Sequence, residues 1–131
     1  MKIRRTECSK EEFDKHANML ETYWLENDYT DIYKFCMDNK IVALIKMEIH
    51  EKDFNIDIFN FEVFNKGQGI GTVAIKMIIN EYPLYKISLN ANDKESEIFW
   101  KKCGFNRIEV YTPEILMEYD NLSIKNPSNA R

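Results

Sequence analysis

The sequence predicts an α+β (mixed α/β) domain, a central and mostly antiparallel sheet with flanking helices. Two observations carry that expectation. Short β-rich runs and amphipathic helical runs follow one another as β-α-β-β-β-α-β-α-β-β. A glycine-rich stretch, Lys66 to Thr72, joins a strand to a helix in the middle of that order. At 131 residues the chain suits one domain, which this reading places at 1–120, with a polar tail at 121–131.

The elements follow in order. Lys2 to Cys8 reads as a strand. Ser9-Lys10-Glu11-Glu12 matches a capping box, in which hydroxyl and carboxylate each satisfy an orphan backbone donor. Behind it Phe13, Ala17, Leu20 and Trp24 recur at helical spacing, which predicts a helix reaching to about Asn27. Ile32 to Met37 and Lys40 to His50 read as a hairpin around Asp38-Asn39, with Ile41, Ala43, Ile45, Met47 and Ile49 on one face. Phe54 to Phe64 is the next strand. Phe54, Ile56 and Ile58 share one parity, and Phe59, Phe61 and Val63 the other. That phase change near Ile58–Asn60 is what a β-bulge before the glycine loop produces; a strand buried on both faces is the alternative. Ile70, Val73, Ala74, Met77 and Ile78 predict a helix stopped by Pro83. Leu84 to Asn90 is a strand. Asn92 or Asp93 caps a helix to Lys102, followed by Gly104 as its C′ glycine. Arg107 to Tyr111 and Glu114 to Tyr119 form a last strand pair.

Composition narrows the function. The net charge is −4, which argues against a general nucleic-acid binder, since that needs a basic face to neutralise phosphates. No run approaches the ~20 apolar residues of a membrane span, and no apolar stretch follows the charged N-terminus as a secretory signal requires. Cys8, Cys36 and Cys103 are odd in number and form no C-x-x-C, which fits reduced thiols in a cytoplasmic protein. With only His16 and His50 beside them, no metal site is expected. Cys103 shares helical spacing with Phe99 and reads as core, and His16 reads as a solvated surface residue.

The glycine loop carries the chemistry. Lys66-Gly67-Gln68-Gly69-Ile70-Gly71-Thr72 lets backbone approach a ligand closely and opens a helix whose first N–H groups have no intrahelical partner. Such an end suits phosphate. A Walker A loop ends in Gly-Lys-Ser/Thr, and here no lysine precedes Thr72. A dinucleotide fingerprint requires glycine where Thr72 stands. What remains is G-x-G-x-G preceded by a lysine, either an anion loop or a tight turn.

One strand later comes a second constellation: Asp93, Ser96, Phe99, Trp100, Lys102, Gly104 and Phe105. Together the two resemble the GNAT N-acetyltransferase superfamily. Its cofactor loop, Arg/Gln-x-x-Gly-x-Gly/Ala, is similar to Lys66-x-x-Gly69-x-Gly71. Its later helix, Asn-x-x-Ala-x-x-Leu/Phe-Tyr-x-Lys-x-Gly-Phe, is similar to Asp93–Phe105. The resemblance implies acetyl-CoA as cosubstrate and transfer of its acetyl group to a primary amine by direct attack on the thioester. By the same resemblance Lys66, Gly67, Gln68, Gly69, Ile70, Gly71 and Thr72 hold the pyrophosphate. The backbone at Phe61 and Val63 pairs with pantetheine and polarises the carbonyl, and Asn92, Asp93 and Trp100 complete the cofactor site.

Glu62 is the first candidate for general base, with Glu48, His50 and Asp57 behind it; a solvated strand glutamate is the other reading of Glu62. Trp100 stands where relatives commonly carry an acid-donating tyrosine, and indole is no useful acid. Tyr111, as well as Tyr119 or water, is a substitute, and plain core packing is the alternative for Trp100. The acceptor is expected to be a small-molecule or peptide amine, and a homodimer is compatible with the sequence. The acidic, aromatic stretch Glu21 to Asp31 suits a cationic amine. The competing function is a catalytically weakened acyl-CoA-binding regulatory or interaction module.

Overall fold

The computed structural model describes residues 2–24, 30–108 and 113–121. Seven strands form one sheet in the order β1-β2-β3-β4-β5-β7-β6. They are β1 (Arg4–Glu7), β2 (Ile32–Met37), β3 (Lys40–His50), β4 (Asn55–Val63), β5 (Lys86–Ala91), β6 (Asn106–Arg107) and β7 (Ile115–Asp120). The helices are α1 (Lys10–His16), α2 (Ile70–Glu81) and α3 (Lys94–Lys102). The pairs β1–β2, β2–β3, β5–β7 and β6–β7 are antiparallel. β4 and β5 are parallel, with Asn55–Ile58 against Lys86–Leu89, while β4 itself runs on to Val63. This is the α+β architecture expected.

Local sequence accounts for most element ends. The Ser9 side chain accepts from the Glu12 amide at 3.1 Å, and the Glu12 carboxylate accepts from the Ser9 amide at 3.0 Å, the reciprocal box that starts α1. Asp38 and Asn39 both take positive φ, 52° and 63°. A two-residue turn of that kind matches the right-handed twist of β2 and β3, and Asp and Asn tolerate it. Asp93 caps α3, accepting from the Ser96 amide at 2.8 Å. At the far end the Phe105 amide reaches the Trp100 carbonyl at 3.0 Å and the Gly104 amide the Lys101 carbonyl at 3.0 Å. This is a Schellman closure around Gly104, whose φ is +99°.

Residue contacts divide the chain into two compact units. The first is Met1–Met47 with Phe59–Ala74. Its core gathers Cys8, Phe13, Trp24, Ile32 and Leu44, with Leu20, Ile41 and Phe64 against them. The second is Glu48–Ile58 with Ile75–Arg131. There Trp100 packs edge-on to Phe105 at 5.1 Å, and Phe105 lies 5.6 Å from Tyr119.

Four expectations change. The first helix does not reach Asn27: α1 stops at His16, a 3₁₀ turn covers Ala17–Met19, and Leu20 is extended at ψ 131°. Trp24 is still core, 4% exposed, but the next amides are drawn to an acceptor outside the helix, described below. His16 is half-buried rather than solvated, with its ring stacked on Phe64 at 5.3 Å. β5 starts at Lys86, two residues after Leu84, because the Tyr85 amide still closes a turn onto the Tyr82 carbonyl. Asn121 belongs to the fold, not the tail: it is buried and donates to the carbonyls of Tyr82 and Tyr85 at 3.0 and 3.3 Å. The remainder of the tail and residues 109–112 lie outside the described residues. In β4 the buried positions Ile56, Ile58 and Glu62 keep one parity, while Phe59 is exposed and Phe61 and Val63 are half-buried. The apolar phase change thus coincides with a carboxylate at a buried position.

Two measurements follow. A Cβ on Gly104 would lie 2.8 Å from Tyr119 Cε2 at a φ of +99°. Gly104→Ala is expected to lose ~1–2 kcal/mol from conformation alone, and more from the clash, in urea denaturation. The Glu12 pKa is lowered to about 2, chiefly by the Lys34 ammonium and then by the Ser9 amide. A depressed carboxyl stabilises above its unfolded value and loses that contribution as pH falls towards the folded one. The stability gap between wild type and Glu12→Gln should therefore hold above pH 4.5 and close between about 4.5 and about 2. Because Glu12 and Lys34 are partly exposed, the gap will be small.

Candidate active site

α2 begins on a glycine, where α1 and α3 begin on capping side chains. Gly69 stands at the N-cap, and the first helical bond is Val73 N–H to the Gly69 carbonyl at 3.2 Å. The amides of Ile70, Gly71 and Thr72 therefore precede the helix's own ladder. No acidic residue lies in the first turn, so nothing there offsets the positive dipole end. Gly67 and Gly69 take φ of +86° and +77°, and a Cβ at either would meet nothing within 4 Å. Conformation, not space, demands glycine at both. Lys66 and Gln68 are exposed and Ile70 is buried, anchoring the helix start.

Just before this loop, at the end of β4, lies a buried carboxylate. Glu62 is 9% exposed. Its Oε1 accepts from the Glu21 amide at 2.7 Å. Its Oε2 accepts from the Thr22 amide at 3.1 Å, the Thr22 hydroxyl at 2.5 Å and the Trp24 indole at 2.7 Å. These are the donors missing from the expected helix. An amide bonded to a charged acceptor gains more than one bonded to a carbonyl, so Glu62 draws the chain out of helical geometry after Met19. Burial pushes the Glu62 pKa up; the Thr22 hydroxyl, the Glu21 amide, the Trp24 indole and the Thr22 amide together push it down further, and it lies below the usual value. Next to it the Asn60 side chain donates to the Tyr23 carbonyl at 2.8 Å. Tyr23 itself is 76% exposed.

Lys66, the cation of the loop motif, pairs with Glu21 at 2.7 Å. Glu21 thus gives its amide to Glu62 and its carboxylate to the glycine loop. Phe61 packs edge-on to Phe35 at 6.2 Å, so its side chain serves the core and its backbone stays in the strand. The first unit therefore brings together Phe61, Glu62, Val63 and the whole loop Lys66 to Thr72.

The other expected site residues lie in the second unit. Asn92 is exposed after β5, and Asp93 is committed to capping α3. Trp100 is 7% exposed and packs against Phe99 and Phe105, both at 5.1 Å. Its ring is core, the alternative the sequence offered. Cys103 is buried, and burial pushes its thiol up to about 11, which makes it a poor nucleophile. Glu48, His50 and Asp57 come together: His50 Nε2 is 3.1 Å from Asp57 and 3.5 Å from Glu48. Asp57 belongs to the second unit and Glu62 to the first. Tyr111 lies outside the described residues.

Sequence reasoning missed Glu21 and Thr22 as partners of Glu62. The available signal was the carboxylate itself, placed between Phe61 and Val63 where burial demands donors.

No protein-family model and no curated protein matches the chain. Solved structures do. The ribosomal-protein-S18-alanine N-acetyltransferase of Escherichia coli superposes with a TM-score of 0.70 at 16% identity, covering 91% of this chain and 94% of that one. The aminoglycoside acetyltransferase AAC(6')-Ib, in complex with coenzyme A and kanamycin, gives 0.71 at 14%, covering 95% and 98%. The PaiA N-acetyltransferase of Thermoplasma acidophilum, in complex with coenzyme A, gives 0.64 at 14%, covering 92% and 99%. At such identities it is the path of the backbone that is shared, and with the loop motif it places the chain in the GNAT N-acetyltransferase fold.

Proposed function

We propose that this chain is an acetyl-CoA-dependent N-acetyltransferase acting on a primary amine of a small molecule or peptide. One observation carries the reading: the glycine start of α2, with Gly67 and Gly69 at positive φ and Lys66 beside them. Such an end is built for a diphosphate. The solved structures with this fold support it, since two of them hold coenzyme A. The acceptor class draws on the same comparison: one neighbour is named for a ribosomal-protein alanine, another holds kanamycin.

In this reading the amides of Ile70, Gly71 and Thr72 bind the pyrophosphate. The β4 backbone at Phe61–Val63, beyond the ladder with β5, pairs with the pantetheine arm. A strand N–H aimed at the thioester oxygen stabilises the charge that develops there. The neutral amine attacks the carbonyl carbon, the C–S bond breaks, and the nitrogen's surplus proton passes to the leaving thiolate or to solvent. Holding both reactants at one strand end supplies the orientation. Glu62 does not suit the base role, because its oxygens are occupied by four donors and its pKa is lowered.

Thermal denaturation with acetyl-CoA, CoA and ATP at matched concentrations tests the site. Acetyl-CoA and CoA should each stabilise by ~2.7 kcal/mol at a hundredfold excess over Kd, and ATP should not. No shift with millimolar CoA would overturn the proposal. Gly69→Ala should weaken CoA binding about tenfold, because alanine relaxes the free loop and restoring φ +77° costs ~1–2 kcal/mol. Gly104→Ala should leave CoA affinity unchanged.

A further inference from the structure

We propose that Glu62 is a positioning residue: it fastens Glu21–Trp24 as the acceptor-facing wall of the site and, through Glu21, holds the cofactor-loop Lys66 in check. The proposal rests on the acetyltransferase reading for its substrate and on geometry for its device. Four donor groups from three residues of the segment, Glu21, Thr22 and Trp24, reach one carboxylate. A fifth bond, Asn60 to the Tyr23 carbonyl, fixes the residue between them. The segment is thus bonded along its length to the last turn of strand before the anion loop. It leaves Tyr23 76% exposed there. An amine brought to a thioester at that strand end meets Tyr23 and the Glu21 carboxylate.

The second part concerns Glu21. Its amide is held by Glu62 and its carboxylate lies 2.7 Å from the Lys66 ammonium. A diphosphate arriving at the loop competes with Glu21 for that ammonium. When it wins, the Glu21 carboxylate turns from partner of Lys66 to free anion beside Tyr23, where it suits a cationic amine. Cofactor binding thereby prepares the acceptor wall. Both side chains are about two-thirds exposed, 67% and 69%, so the coupling is modest and sensitive to salt.

The test uses the full chain and the variants Glu62→Gln, Thr22→Ala and Glu21→Gln. Ligand-free NMR comes first. In Glu62→Gln the Trp24 indole proton should move upfield, and the Glu21 and Thr22 amides should exchange at least about tenfold faster, since each loses a charged acceptor. In steady-state assays with a cationic amine, Glu62→Gln and Thr22→Ala should raise the acceptor KM, by about tenfold and about threefold, with kcat changed less. Their kcat profiles at saturating amine should keep the acid limb of the wild type. Thr22→Ala guards against loss of folding in the first variant, because it removes one donor and no charge. It also separates the roles: a Glu62 base that lost a donor would titrate higher, and the acid limb would move up with it. Glu21→Gln should tighten CoA about two- to fivefold at low salt and not at ~1 M salt.

An acid limb that moves in Thr22→Ala, or disappears in Glu62→Gln with KM unchanged, would overturn the positioning role in favour of a base. Unchanged exchange at Glu21 and Thr22 in Glu62→Gln would overturn the clamp. Unaltered CoA affinity in Glu21→Gln at low salt would overturn the link to Lys66. Wild-type protein that binds no CoA would sink the acetyltransferase reading instead; the indole and exchange measurements need no ligand and still decide the clamp.

Discussion

A carboxylate with little solvent has to be supplied with donors, and at Glu62 that requirement organises the first unit. Leaving one charge unpaired in such a place costs several kcal/mol. Four donors from one short segment meet it. In return the segment gives up helical bonds, α1 ends early, and Trp24 enters the core from a non-helical segment instead of a helix face. The same bonds carry Glu21 to Lys66 and Tyr23 to the surface. One side chain on β4 therefore shapes the core, the edge of the site and the charge beside the loop.

The site divides its labour between rigid and conditional parts. Ile70 is buried and anchors α2, and Gly67 and Gly69 hold conformations that only glycine adopts without strain. These set amide positions before any ligand arrives, which is where electrostatic stabilisation is most effective. The ion pair of Lys66 and Glu21 is exposed and exchangeable. In the proposed reading, fixed dipoles bind the diphosphate and the exposed charge pair responds to it.

Features set by neighbours in sequence were legible in advance. Ser9 and Glu12 form their box within four residues, Asp38-Asn39 makes its own turn, and Gly104 closes α3 onto carbonyls one turn back. The loop motif was legible for the same reason, since a glycine's φ and a helix's first amides are local properties. What escaped were effects of distant partners. The spacing of Phe13, Ala17, Leu20 and Trp24 is helical, yet Glu62, some forty residues on, overrides it after Met19. Lys34 reaches Glu12 only because β2 lies beside β1 in the sheet. His16 stacks on Phe64, which no local pattern brings near. The phase change in β4 was visible, but its partner, a buried charge with its own donors, was not.

The glycine start of α2 has a consequence for ligand binding. A helix that begins on glycine forgoes about a few tenths of a kcal/mol relative to a serine or aspartate cap, and the deficit falls on the ligand-free form alone. A bound anion fills the missing role. With the diphosphate of the proposed cosubstrate as that anion, ligand binding and formation of the first turn of α2 are coupled, each favouring the other.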